Sequence, residues 1–90
     1  MATEKVYTIK ETFDSLFGNR HREHLVTGTL KELIQRYSYD LEVGACYQNE
    51  KGRKKINRQP KTIKSLVTNL YNAKNNAASN GYSGYDFEIV

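Results

Sequence analysis

The densest charge in this sequence is a basic segment without acidic residues that runs from Lys51 to Lys64. Lysine and arginine side chains at this density can bind phosphates or the carboxylates of an acidic protein. A helix beginning within the segment would add free amides and a favourable dipole. The segment is compatible with a solvated loop, an acidic protein partner or nucleic acid, although no recognised nucleic-acid motif accompanies it. Its cations are Lys51, Arg53, Lys54, Lys55, Arg58, Lys61 and Lys64.

Three tyrosines extend this candidate partner-binding surface. Tyrosine combines a large ring with a polar tip and is enriched at interface hot spots. Tyr47 and Tyr71 could offer stacking surfaces to unpaired bases. Tyr39 lies off the apolar side of the first helix described below. We predict these three as partner-binding residues and most other tyrosines as core edges with solvated hydroxyls.

Patterns typical of catalysis or metal binding are missing from the sequence. The histidines of His21-Arg22-Glu23-His24 are three apart, and no further histidine or cysteine pair completes a tetrahedral site. We therefore expect surface histidines with some pH sensitivity near neutrality. Neither a nucleophile elbow nor a phosphate-binding glycine loop occurs. The expectation is a binding domain, not an enzyme, without cofactor or metal.

Composition indicates one small globular domain of 90 residues, with 38% hydrophobic and 27% charged residues. Charge is segregated: residues 1–50 carry six Lys/Arg against eight Asp/Glu, whereas residues 51–85 carry eight against none. No apolar run resembles a membrane span or signal peptide. The single cysteine, Cys46, excludes an internal disulfide and is expected to be a partly buried, reduced thiol. These features favour a cytoplasmic protein.

Alternation of apolar and polar residues predicts a first strand over Val6–Phe13. Glu11 interrupts its apolar face, so we expect an edge position or a strand end there. A weaker strand over Arg22–Thr27 would form a hairpin through the turn residues Phe17-Gly18-Asn19. Asp14–Phe17 could instead form a helical turn.

The first helix has the clearer signals. Thr29 and Glu32 match a capping box, in which each side chain binds the other residue's amide. Apolar residues follow at helical spacing and predict a helix over Leu30–Val43, loosened around Ser38. Gly44 is interpreted as its stop. The apolar positions are Leu30, Leu33, Ile34, Tyr37 and Leu41.

A polar loop over residues 48–59 is predicted to lead into a second helix over Pro60–Ala77, with Pro60 in its first turn. The asparagine-rich run at Asn72–Asn80 is interpreted as a fraying helix end, finished by Ser79-Asn80-Gly81. Alternation over residues 85–89 predicts a closing strand. The apolar stripe of the helix is Ile63, Leu66, Val67, Leu70, Ala73 and Ala77.

The predicted order is β-β-α-α-β. It describes an α+β fold in which a small antiparallel sheet carries two helices packed on one face.

Two stretches, residues 28–39 and 55–67, resemble a group of short tailed-bacteriophage proteins. They read Gly28-Thr29-Leu30-Lys31-Glu32-Leu33-Ile34, continuing through Tyr37-Ser38-Tyr39, and Lys55-Ile56-Asn57-Arg58-Gln59-Pro60-Lys61-Thr62-Ile63-Lys64-Ser65-Leu66-Val67.

The resemblance implies a host-takeover or anti-defence type of accessory protein in the host cytoplasm. Such a protein would modulate or inhibit a host protein or a protein–nucleic acid complex, here through the basic segment and the nearby tyrosines. The alternatives are a DNA- or RNA-binding module that uses the same basic residues, or a homo-oligomer built through a sheet edge.

Overall fold

The computed structural model describes residues 5–14, 21–77 and 84–90. Within these ranges, three antiparallel strands form a sheet in the order β2-β1-β3. The predicted α+β fold is therefore confirmed, with three helices among the described residues where two were expected. The elements are β1 (Val6–Asp14), β2 (His21–Thr29), α1 (Leu30–Arg36), α2 (Ser38–Cys46), α3 (Ile63–Ala77) and β3 (Tyr85–Ile89).

One face of the sheet carries the core. Paired residues of an antiparallel sheet share a face, and Ile9 is paired with Val26, while Phe87 is paired with Glu11 two residues along β1. These three apolar side chains are buried together with residues from all three helices. Within the described residues the opposite face is mostly polar and is open, with Val6 and Leu25 as exposed apolar residues, and we call it the open face.

The prediction of an edge position or strand end at Glu11 is wrong, because Glu11 lies inside the central strand β1. Its carboxylate accepts a hydrogen bond from the hydroxyl of Tyr37, a core residue that is 3% exposed. Burial, and then this hydrogen bond, raise the pKa of Tyr37 above its ordinary value of 10.0. A polar side chain fits the core face here because a buried hydroxyl needs an acceptor.

The capping box is confirmed at the start of α1. The amide of Thr29 donates to Glu32 Oε1 at 2.9 Å, and the amide of Glu32 donates to Thr29 Oγ1 at 3.2 Å. The predicted loosening near Ser38 is a break at Tyr37, where φ is −95° and ψ is 9°. The apolar stripe continues across the break, since Leu33, Tyr37 and Leu41 are all buried.

Gly44 is not a helix stop, because α2 continues to Cys46. A Cβ placed on Gly44 would lie 2.4 Å from the Cβ of Ala73 and 2.5 Å from its Cα. The glycine thus lies at a point of close approach between α2 and α3. The thiol of Cys46, expected to be partly buried, is exposed just beyond it.

The second predicted helix is α3, but it begins at Ile63, not at Pro60. Thr62 Oγ1 accepts from the amide of Ser65 at 3.1 Å, and this cap sets the start after the proline. The predicted stripe is buried or half-buried up to Ala73, whereas Ala77 is exposed and Asn76 is buried in its place. That burial also corrects the interpretation of a fraying, asparagine-rich helix end.

The remaining strand predictions hold, with shifts at three boundaries. β3 has the predicted bounds, β1 ends at Asp14 and not at Phe13, and β2 runs over His21–Thr29 and not over Arg22–Thr27. Asp14 belongs to β1 and not to a helical turn. The predicted turns at Phe17-Gly18-Asn19 and Ser79-Asn80-Gly81 lie outside the described residues. In the described ranges, no helix is long and apolar enough to cross a membrane.

Candidate functional site

Most of the basic segment lies in the connection between α2 and α3, of which we call residues 48–59 the basic loop. Its backbone is held by a buried asparagine of α3. Asn76 Oδ1 accepts from the amide of Lys54 at 2.9 Å, and Asn76 Nδ2 donates to the carbonyl of the same residue at 2.6 Å. Asn76 Nδ2 also lies 3.1 Å from the carbonyl oxygen of Gly44. One side chain therefore ties the loop, α2 and α3 together.

A second asparagine holds the loop three residues further along. Asn69 Oδ1 accepts from the amide of Asn57 at 2.7 Å, while Asn69 Nδ2 donates to the carbonyl of Ser65 at 2.8 Å. Between the two anchors, Ile56 is 5% exposed and its amide donates to Gln48 Oε1 at 3.1 Å. The predicted loop is thus an ordered strap lying along α3.

Sequence reasoning missed both anchors. Asn69 and Asn76 are seven residues apart, so they share one side of a helix. Both lie on the buried side of α3 with Leu66, Leu70 and Ala73. The sequence did contain a signal for them, because Asn69 and Asn76 fall on the apolar stripe of the predicted helix. An asparagine buried there must have hydrogen-bonding partners, so each position indicated a polar contact with another part of the chain.

The seven predicted cations divide into two groups. The lysines Lys51, Lys54, Lys55, Lys61 and Lys64 are exposed. The arginines contact acidic residues from the first half of the chain: Arg58 Nη1 is 2.8 Å from Glu42 Oε2, and Arg53 Nε is 3.9 Å from Glu50 Oε2. The segment therefore contains no acidic residue, but acidic side chains from outside it contact its arginines in the folded chain.

Arg53 is also the least exposed of these cations. Its Nη1 donates to the carbonyl of Asn75 at 3.1 Å, and its side chain is 19% exposed. This contact fixes the loop to the end of α3. Arg53 therefore helps to hold the loop, whereas the five lysines are exposed to solvent.

Two shallow cavities lie beside the basic loop, and part of the predicted site lines them. One, of about 270 Å³, is lined by Arg53, Lys54 and Tyr71, together with asparagines of α3. The other, of about 450 Å³, is lined by Lys55, Ile56, Asn57, Arg58 and Asn69. We define the docking surface as the predicted residues that line these cavities: Arg53, Lys54, Lys55, Arg58 and Tyr71.

The other predicted contact residues are not gathered there. Tyr39 and Tyr47 are 76% and 40% exposed, yet they line neither cavity. Lys51, Lys61 and Lys64 likewise lie outside both. Of the three predicted tyrosines, Tyr71 alone lies beside a loop cation in one of these cavities; its side chain is 47% exposed.

The two histidines lie on opposite faces of β2, because their positions differ in parity. His21 Nδ1 is 2.5 Å from Asp14 Oδ1, and its Nε2 is 3.2 Å from Glu23 Oε1. The described ranges contain no cluster of three or more His, Cys, Asp or Glu side chains suited to a metal ion.

The hydrogen bond to Asp14, followed by that to Glu23, raises the pKa of His21 above its ordinary value of 6.5. Because the pKa of His21 is higher in the folded than in the unfolded chain, protonated His21 stabilises the fold. This stabilisation is complete at pH values below the unfolded-state pKa, and it is lost as the pH rises through the folded-state pKa. We expect an NMR titration to show a His21 pKa above 6.5 that falls in Asp14→Asn. The same variant should flatten the pH dependence of unfolding, and an unchanged His21 titration would contradict this assignment.

No protein-family model, curated protein or solved structure matches this chain. By its geometry the chain is a small α+β domain with a basic loop that is held by hydrogen bonds to two asparagines of α3. The resemblance to phage accessory proteins stays a prediction.

Proposed function

We propose that this chain is a binding protein, not an enzyme, of the phage accessory type. It would modulate or inhibit a host protein, or a protein–nucleic acid complex, by placing the docking surface against an acidic patch of that target. The observation that carries this proposal is the pinning of the loop backbone at Lys54 and Asn57, with the side chains of Lys54 and Lys55 exposed.

The physical argument is one of pre-organisation. Association costs conformational entropy when a flexible loop must be ordered, and a loop already held in place loses less. Buried amides fix the backbone here, so binding needs to order only the lysine side chains. Tyr71 supplies a large ring beside Lys54, a combination suited to the centre of an interface.

An acidic protein surface fits these residues for a further reason. Arg58 is already paired with Glu42 at 2.8 Å, which leaves the exposed side chains of Lys54 and Lys55 to contact carboxylates of the target. Long-range attraction by the exposed lysines would also speed the encounter with an oppositely charged surface.

The cavity that the loop shares with Tyr71 also supports the alternative of a single-stranded nucleic acid. A base could stack on the half-exposed ring while Lys54 contacts the adjacent phosphate. Binding of this kind depends steeply on salt, because each neutralised phosphate releases counterions.

The test is the triple variant Lys54→Ala/Lys55→Ala/Tyr71→Ala. A pull-down from bacterial lysate with mass-spectrometric identification should recover a saturable protein partner for the unaltered chain. The triple variant should bind that partner at least about tenfold more weakly, since it removes a hot-spot ring and two cations. The charge-matched control is Lys31→Ala/Arg36→Ala, which removes two exposed cations of α1 and should bind normally.

The outcomes separate the two functions. If no saturable protein partner is recovered, or if the triple variant binds it as well as the unaltered chain, the protein-docking proposal fails. Binding to labelled single-stranded DNA or RNA, with a salt slope that falls by about two when both lysines are removed, would instead establish the nucleic-acid function.

A further inference from the structure

We infer that β2 pairs with the β2 strand of a second copy of this chain, giving a symmetric dimer with one continuous antiparallel sheet. The inference rests on the edges of the sheet and is independent of the docking surface. A three-stranded sheet has two outer edges, here those of β2 and β3. The backbone groups at these two edges differ.

The outward-facing backbone groups of β2 follow from the alternation of hydrogen bonds in an antiparallel ladder. The amide of Val90 donates to the carbonyl of Thr8 at 3.0 Å, so Thr8 turns its backbone polar groups toward β3. The next residue, Ile9, therefore turns its groups toward β2 and its partner Val26. It follows that the N–H and C=O of Leu25 point away from the sheet.

By the same alternation, Glu23 and Thr27 also point their backbone groups outward. Among the described residues, none hydrogen-bonds to those groups from outside the sheet. In the part of the chain that the structure describes, β2 thus has an unpaired edge nine residues long, and such an edge is a template for another strand.

The edge of β3 is protected. Phe87 is paired with Glu11, so its N–H points outward by the same alternation. The carboxylate of the preceding residue accepts from that N–H, with Asp86 Oδ1 at 2.9 Å. The added negative charge blocks an incoming strand at β3. β2 is therefore the edge that is available for pairing.

The sequence of β2 suits self-pairing. Leu25 is the midpoint of His21–Thr29, so a two-fold axis there pairs the whole strand with its copy. Leu25 is 59% exposed on the open face and would pack on Leu25 of the second copy. A pair of like charges facing one another across the axis would be destabilising, and this register contains no such pair. The other facing pairs across the axis are His21 with Thr29, Arg22 with Gly28, Glu23 with Thr27, and His24 with Val26.

Leu25→Glu tests the register while preserving the monomer. Its carboxylate would lie beside Lys10, the partner of Leu25 in β1, but would face an identical charge across the axis. We expect light scattering to give twice the chain mass of 10.4 kDa for the unaltered protein. Dimer affinity should fall at least about tenfold in Leu25→Glu. The matched control is Val6→Glu, at a similarly exposed apolar position of the open face that lies away from the free edge.

A cross-link supplies a positive readout that does not depend on losing the dimer. Residues of a hydrogen-bonded pair have Cα atoms about 5.5 Å apart, within reach of a disulfide. Leu25→Cys in a Cys46→Ser background should therefore form a covalent dimer on mild oxidation, and Val6→Cys in the same background should not. A monomeric unaltered chain at all concentrations would overturn the inference. So would a dimer that Leu25→Glu leaves intact, or equal cross-linking by both cysteine variants.

Discussion

Replacing Gly44 with alanine is expected to lower the free energy of unfolding by about 2 kcal/mol. The new Cβ would lie 2.4 Å from the Cβ of Ala73 and 2.5 Å from its Cα, so α2 and α3 must separate. Overpacking of this kind costs roughly 3 kcal/mol at its upper range, and alanine returns about 1 kcal/mol through its better helix propensity. Urea denaturation measures the difference as a lower midpoint at constant slope.

A double-mutant cycle identifies the cause. Ala73→Gly removes the Cβ that the new side chain meets, so it should recover part of the lost stability in the Gly44→Ala background. Recovery stays incomplete because the contact with the Cα of residue 73 remains. A Gly44→Ala protein as stable as the unaltered chain would show that Gly44 is not the packing contact described here.

The same glycine shows where sequence reasoning reached its limit. A glycine near the end of an apolar stripe is ordinarily a helix stop. Whether it instead admits a neighbouring helix depends on which residue of α3 lies against it, and the sequence of α2 does not contain that information. The capping box was predictable because both partners are three residues apart and interact locally.

The same limit applies to Glu11 and to the asparagines that hold the loop. Tyr37 is 26 residues from Glu11, and Asn76 is 22 from Lys54, so these pairs arise only from tertiary packing. Alternation along β1 and helical spacing along α3 predicted the buried apolar positions correctly up to Ala73, with Ala77 as the exception. They could not predict which polar side chains would be accepted on the buried faces. The candidate site was accordingly predicted as a segment, while the way it is held was not.

Tyr71 and the cations of the loop show the difference between predicting which residues form a site and predicting how folding arranges them. The sequence predicted both as contact residues, and one cavity brings Tyr71 together with Arg53 and Lys54. It could not predict that Arg58 would contact Glu42, which folding brings from α2 to the loop. Glu50 is itself a loop residue three positions before Arg53, and sequence reasoning missed this local contact. Charge segregation along a chain therefore overstates the charge of the surface it forms.

Asn76→Ala is the second substitution with a large expected effect, a loss of about 3 kcal/mol in unfolding free energy. It removes the hydrogen bonds to the amide and carbonyl of Lys54 and to the carbonyl of Gly44, and each contributes on the order of 1 kcal/mol. Loss of the anchor should also speed hydrogen exchange at the Lys54 amide. Partner binding should weaken although no cation is removed, because the loop must then be ordered on association.

The neighbouring residue provides the matched control. Asn75 Nδ2 donates to the carbonyl of Tyr71 within the same helix, so Asn75→Ala should change stability by no more than about 0.5 kcal/mol. Asn76→Asp separates the two functions of the side chain. It retains an acceptor for the Lys54 amide but, when ionised, places a negative charge against two carbonyl oxygens. It should therefore be less stable at neutral pH than in acid, where the carboxyl is protonated and can donate. If Asn76→Ala and Asn75→Ala were equally stable, with equal exchange at Lys54, the loop would not be held by Asn76.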